Sequence, residues 1–305
     1  MSRSLHMVSH SHPSDEMKVT SMKSILNAVA LSGAMLVSAA LAAPAFAQIT
    51  IPPDLKNDQI EISYVEPKTA AYRPIYDKLK KRQVLEQLRA FMSPLSLTRK
   101  LPVKIEECGK PSSPFQPGGG VTICYEYIAQ IEQLAPKEKT ALGVTREIAV
   151  SGAFVQVVLH EMSHAVFDIL QIPVWGREED AADKLAGFIM LQFGRDVALT
   201  TLMGTAHFFE ASDRTWTGSD FSDVRSPEVQ RFYNYLCLAH GGPSSEAFKP
   251  FLTQIKFLQL TRSKRCAVEY SDLRWAFQKT ILPHVDQDLM RRVQEMQIFA
   301  PGDGQ

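Results

Sequence analysis

The sequence predicts an α+β protein, mainly helical, with a small β-sheet next to one central helix and a helical C-terminal part. Three observations carry this. The stretch from Glu147 to Leu170 is apolar on most of its faces, as a buried helix is. Before it, Leu101–Glu107 alternates Leu, Val and Ile with polar residues, and Val121–Tyr125 is a second strand-like run. After it, apolar residues recur near the 3.6-residue period between loops marked by glycine and proline.

The 305 residues are 45% hydrophobic and 22% charged, an ordinary globular balance. Basic and acidic residues number 33 each, and no basic stripe runs through the chain, so a nucleic-acid partner is excluded.

Residues 1–47 have the pattern of an export signal. Lys18 and Lys23 form a positive flank, Ile25 to Ala43 is apolar, and Ala45-Phe46-Ala47 fits the small-x-small cleavage site. Gln48 is then the first mature residue, and translation starts at Met17 or Met22 in the reading that best fits a signal peptide. The mature chain, 48–305, is read as a single domain, periplasmic or secreted. The competing reading is an uncleaved anchor, because the apolar run is long enough to span a bilayer; only then does the chain meet a membrane. His6, His10 and His12 fall in the leader and have no part in the mature protein.

All four cysteines, Cys108, Cys124, Cys237 and Cys266, lie after the leader. An even count in an exported chain predicts disulfides. Three pairings are possible. The sequential one, 108–124 and 237–266, closes two short loops and is the expectation; no two cysteines have the close spacing of a zinc site.

Taken in order, residues 48–70 carry Pro52, Pro53 and Pro67 and form a lead-in with a strand at Ile60–Val65. Pro74–Met92 reads as one helix, from Ile75, Leu79, Val84, Leu85 and Leu88. A Pro/Ser/Gly loop fills Gly109–Gly120. Val121–Tyr125 is the candidate sheet edge for adding an extended peptide, and Glu126–Leu134 is a short helix. Pro173 and Gly176 end the central helix. Further helices are predicted at Arg177–Phe193, Thr200–Ala211, Pro227–Ala239, Ser245–Leu260 and Ser271–His284.

The central helix contains His160-Glu161-Met162-Ser163-His164, the pattern His-Glu-x-x-His. Residues four apart share a helix face, so the two imidazoles can grip one metal ion, while Glu161 reaches a water beside it. The flanks Phe154–Leu159 and Ala165–Phe167 are strongly apolar, and histidines buried there need partners. Zinc takes a third protein ligand and leaves one position open. No third histidine follows at the metzincin spacing, where Phe167 and Leu170 stand; the acidic run Glu178-Glu179-Asp180-Ala181-Ala182-Asp183 supplies the ligand instead. Glu179 and Asp183 are four apart, which puts Glu179 on the metal and Asp183 one turn away, accepting from a ligating imidazole. Glu178 is the alternative ligand. The same acidic cluster also suits a helix N-terminus through the macrodipole. Small residues at Ala182, Ala186 and Gly187 permit close approach of the two helices.

At these residues the chain resembles a family of exported bacterial metallopeptidases designated domain of unknown function 4344. The resemblance rests on His-Glu-Met-Ser-His with Gly176-Arg177-Glu178-Glu179-Asp180-Ala181-Ala182-Asp183, on Cys108-Gly109 and Cys124-Tyr125-Glu126, and on Gln230-Arg231-Phe232-Tyr233-Asn234 with Cys237. It extends from about Ile60 to Pro283 and implies a zincin-like fold with a glutamate as third ligand. In the family pattern a histidine precedes Gln-Arg-Phe-Tyr-Asn; Arg225 stands here, able to stabilise an oxyanion by charge but not to shuttle a proton near neutral pH.

The resulting expectation is a zinc metallopeptidase acting on a peptide or protein. Zn2+ is held by His160, His164 and Glu179, a metal-activated water attacks, and Glu161 is the general base. Two rivals are a zincin-shaped binding protein without activity and a zinc amidohydrolase acting on a non-protein amide. Besides Arg225, His207 and Tyr233 are candidates for oxyanion stabilisation, though His207 also reads as a core histidine and Tyr233 as plain core. Arg231 is a second candidate for the cleft, Asp168 reads as a neighbour of His164 or a surface residue, His240 as a helix-end residue, and Trp175 as a packing anchor in preference to a substrate platform.

Overall fold

The computed structural model describes residues 51–110, 115–213, 223–257 and 260–296; the leader and the proposed cleavage site lie outside them. Strands β1 (Ile60–Tyr64), β2 (Leu101–Glu106), β3 (Phe115–Gln116) and β4 (Gly120–Cys124) form one sheet in the order β1-β2-β4-β3. The first three in that order run parallel, with Ile60 opposite Leu101 and Val103 opposite Val121; β3 is antiparallel to β4. Leu101, Val103, Ile105, Val121 and Ile123 are fully buried, as parallel strands covered by helices require. The protein is therefore α+β and mainly helical.

Two helices, α1 (Arg73–Lys81) and α2 (Val84–Phe91), cross from β1 to β2. The sequence read them as one helix. Gln83 adopts the left-handed conformation (φ 51°) and divides them, a local break that the apolar period passes through unaltered. After β4 come α3 (Tyr125–Leu134), α4 (Arg146–Ile169), α5 (Glu178–Met190), α6 (Arg195–Ser212), α7 (Glu228–Gly241), α8 (Ser245–Gln254), α9 (Cys266–Thr280) and α10 (Gln287–Glu295). Compared with the sequence reading, α6 starts earlier, α8 stops at Gln254, α9 begins at Cys266, and α10 is additional. Exposed, charge-rich α10 buries only Val293, so its apolar signal is weak.

Helix α4 is the centre of the fold. Thr145 caps it, its hydroxyl accepting from the Ile148 amide at 3.3 Å. Both flanks of the His-Glu-x-x-His segment are buried, from Val155 to Val166. Helix α6 crosses α4 at glycines: a Cβ on Gly152 would meet the Thr201 carbonyl at 2.5 Å, and one on Gly204 would meet the Ile148 carbonyl at 2.0 Å. The Thr205 hydroxyl donates to the Gly152 carbonyl at this crossing, at 3.1 Å. Ala182 and Ala186 of α5 are buried as expected, but Gly187 makes room for Tyr235 and Leu238 of α7 rather than for α4.

Both disulfides follow the sequential pairing. Cys108–Cys124 ties the end of β4 to the loop after β2, and Cys237–Cys266 ties α7 to α9. Two expectations need correcting. Val121 and Gly120 of β4 pair with β3, so this part of β4 is interior to the sheet and not its edge. Trp175 anchors nothing: it is 96% exposed in the α4–α5 connection. Among the described residues no helix is long and apolar enough to cross a membrane.

Candidate metal centre

Helix pitch stacks His160 and His164 on one face of α4, and their Nε2 atoms lie 3.2 Å apart. The α4–α5 turn brings the first turn of α5 against them. Glu179 Oε2 is 3.1 Å from His160 Nε2, and Glu179 Oε1 is 3.8 Å from His164 Nε2. Three ligands on one tetrahedral zinc, at bonds of about 2.0–2.1 Å, stand about 3.4 Å from one another. One ligand atom from each of these three side chains lies within 4.8 Å of the other two, so the donor set can close on such an ion.

The outward nitrogens are tethered, which leaves the inner ones free to face a metal. His160 Nδ1 donates to Asp183 Oδ1 at 2.8 Å, and His164 Nδ1 donates to Glu178 Oε1 at 2.7 Å. An ionised carboxylate only accepts, so each bond fixes a proton on Nδ1 and leaves Nε2 as the nitrogen that faces inward, the one a metal would take. Sequence spacing anticipated the Asp183 contact. It left Glu178 as an alternative ligand; here that side chain sits behind His164 instead of between the rings.

Behind His160 is a closed polar network. Arg231 holds Asp183 through two hydrogen bonds, Nε to Oδ2 at 2.7 Å and Nη2 to Oδ1 at 2.8 Å. Gln156 Nε2 donates to the same Oδ1 at 3.1 Å, and the Tyr235 hydroxyl lies 3.4 Å from it. Gln156 and Arg231 each stand four residues from a partner in this network, His160 and Tyr235 respectively. That spacing, in otherwise apolar helices, is the sequence signal for them. The Arg231 guanidinium also stands over the Phe209 ring at 4.3 Å.

The charges respond to these contacts. Burial disfavours ionisation of Asp183, but Arg231 and the His160 hydrogen bond outweigh it and hold the carboxyl well below its usual range. Burial likewise opposes the charge on Glu179, and is outweighed by hydrogen bonds to both histidines and by Arg225, so this carboxyl too is held low. Burial pushes the His160 imidazolium down, yet Asp183 and Glu179 raise it to about 9 in the metal-free protein. Glu161, 2% exposed, is pushed up by burial, against the pull of His160, His164 and Arg225. A raised carboxyl suits a group that takes up and returns a proton.

Arg225 faces the centre from the segment before α7, its Nε donating to Glu179 Oε2 at 2.9 Å. Asp223 Oδ1 fixes the Arg225 backbone amide at 3.0 Å. On the other side, the Phe115 ring of β3 stacks on His164 with centroids 6.1 Å apart and planes within 5°.

Other candidates lie elsewhere. His207 approaches the Leu134 carbonyl at 3.4 Å, Tyr233 stacks on Phe257, and His240 meets that same ring edge-on. Asp168 pairs with Arg99 and accepts from the Gly118 amide at 3.2 Å. Glu126 approaches Cys108 and Cys124, but both sulfurs are in the disulfide; its carboxylate accepts from the Cys108 and Gly109 amides. A cavity of about 800 Å³ is lined by Phe188, Phe193, Tyr270 and Phe277 and by none of the three converging side chains.

The family described as "putative metallopeptidase", domain of unknown function 4344, matches residues 64–281. The chain belongs to this family. The matched span contains β2 to α9, both disulfides and every residue of the centre. No curated protein and no solved structure matches the chain.

Proposed function

We propose that the mature chain, residues 48–305, is a single-domain, exported, zincin-like zinc peptidase. The observation that carries this is the convergence of His160 Nε2, His164 Nε2 and a Glu179 carboxylate oxygen, with both Nδ1 atoms tethered outward. Two imidazoles and one carboxylate, beside a buried glutamate, are the donor set of a hydrolytic zinc site. Bound zinc supplies Lewis acidity toward a water and toward the scissile carbonyl.

The side chains do the rest. His160, His164 and Glu179 hold the ion, and Asp183 and Glu178 keep the two rings in the required tautomer. Glu161 accepts a proton as water adds to the carbonyl carbon, then gives it to the amide nitrogen as the C–N bond breaks. Arg225, which reaches the centre through Glu179, supplies the cation that offsets negative charge growing on the carbonyl oxygen; the histidine of the family pattern is replaced by a group that keeps its charge throughout. The substrate is a peptide or protein. Two disulfides support export, and the proposed leader 1–47 with cleavage before Gln48 supports periplasmic or secreted protein.

Elemental analysis of purified 48–305 and hydrolysis of an unfolded protein such as denatured casein test the proposal together. The wild type binds one zinc and cleaves. Glu161→Gln keeps zinc and loses cleavage. His160→Ala, His164→Ala and Glu179→Ala lose zinc, whereas Glu178→Ala keeps it. A zinc-free wild type overturns the reading. Zinc without cleavage of any polypeptide leaves the binding protein or the non-protein amidase.

A further inference from the structure

The two chain segments that reach the centre, and the start of α7, carry three exposed large apolar side chains. Trp175 is 96% exposed, Val224 67% and Val229 43%. Trp175 belongs to the α4–α5 connection, three residues before Glu178. Val224 adjoins Arg225, and Val229 lies in the first turn of α7. The two segments meet twice, where Arg225 Nε reaches Glu179 at 2.9 Å and where Arg177 Nη1 reaches the Ser226 hydroxyl at 3.4 Å. Trp175 and Val224 each stand two residues from that second contact. Trp175 and Val224 are thus carried by the two segments that reach the charged centre. Phe115, half-buried on His164, lies on the other flank.

An indole left in water on a segment that reaches a converging donor set is placed to contact what binds there, and aromatic side chains contribute large contact area. The occupant has to suit both parts of the surface. Arg225 is taken up by Glu179 and the chain carries no net charge, so nothing there draws an anionic bilayer to the patch. An extended peptide satisfies both: its backbone amide meets the charged centre while a neighbouring side chain reaches the rim. We propose that Trp175, with Val224, is the specificity surface for a bulky apolar residue of an unfolded peptide substrate, placed beside the scissile bond. This rests on the peptidase reading of the centre.

The test uses zinc-loaded 48–305 carrying Glu161→Gln, so that peptides bind without being cut. Two fluorescein-labelled, unstructured ten-residue peptides differ only at two central positions, Phe-Leu in one and Ser-Gly in the other; binding is read by anisotropy. The expected result is about tenfold tighter binding of the Phe-Leu peptide, lost in Trp175→Ala and kept in Trp175→Phe. Trp275→Ala, which removes another exposed indole, on α9, keeps the preference. In the active protein, Trp175→Ala raises KM for the Phe-Leu peptide by about the same factor. Equal binding of both peptides, or an unchanged preference in Trp175→Ala, overturns the proposal. So does Trp175-dependent sedimentation with phosphatidylcholine vesicles while peptide binding stays unchanged. Because anisotropy reads binding alone, a wild type that binds these peptides with the preference but cuts nothing refutes the peptidase reading and leaves the surface assignment standing.

Discussion

The two histidines of one motif are held in opposite ways. His160 leans on Asp183, which is buried and locked by Arg231, Gln156 and Tyr235. His164 leans on Glu178, whose side chain is 53% exposed, and Glu179 meets an arginine that is 42% exposed. One side of the centre is interior structure, the other is a rim. A buried ion pair is costly to break because the survivor is left without water or partner, whereas a rim pair falls back on solvent. Motif spacing assigns both histidines the same status; their surroundings do not.

The sharpest break of this contrast is Arg231→Ala, which strands the buried Asp183 carboxylate. It is expected to destabilise the metal-free protein by about 3–5 kcal/mol, measured by urea denaturation. A loss below 1 kcal/mol would mean that water reaches Asp183 and that the interior side is not dry. The same pair sets an acid limb. The folded pKa of Asp183 is depressed below its unfolded value, so its contribution is complete above about pH 4 and is lost as pH falls through the folded value. Urea midpoints should drop from pH 5 to pH 2, and Asp183→Asn should flatten that drop.

The disulfides extend the contrast. By loop closure each contributes roughly 3 kcal/mol, so the paired serine variants should lower stability by similar amounts. Access differs: Cys237 and Cys266 are fully buried, while Cys108 is half-buried. Mild dithiothreitol on the folded protein should therefore open 108–124 first, followed by thiol labelling and mass spectrometry. Simultaneous opening would put the two regions on a level.

Metal affinity gives a smaller, graded effect. Asp183→Asn should weaken zinc binding by about 10–100-fold, and Glu178→Gln only near the lower end, about tenfold, in a competition assay with a chelator. Equal losses would show that the tether matters and its burial does not. The smallest effect is expected from Arg225→Ala, less than about 1 kcal/mol in stability, because its pair with Glu179 is open to solvent. Any large loss there would make the rim structural.

The sequence alone determined the buried helix, the spacing of His160 and His164, the even set of cysteines and the acidic turn that follows. These are local or countable properties: a helical period, a motif, a composition. Asp183 was legible for the same reason, four residues from Glu179 on one face. Tertiary structure decided the rest. It placed Glu178 behind a ring, brought Arg231 and Arg225 from the far end of the chain onto two acidic residues of α5, split the first helix at Gln83 and closed the β4 flank with β3. It also left Trp175 in water although its residue type predicts packing. The Gln83 break is local but leaves the apolar period unaltered; the others depend on how helices cross and turns close, contacts that no local pattern records, whereas spacing along one helix is fixed by the backbone itself.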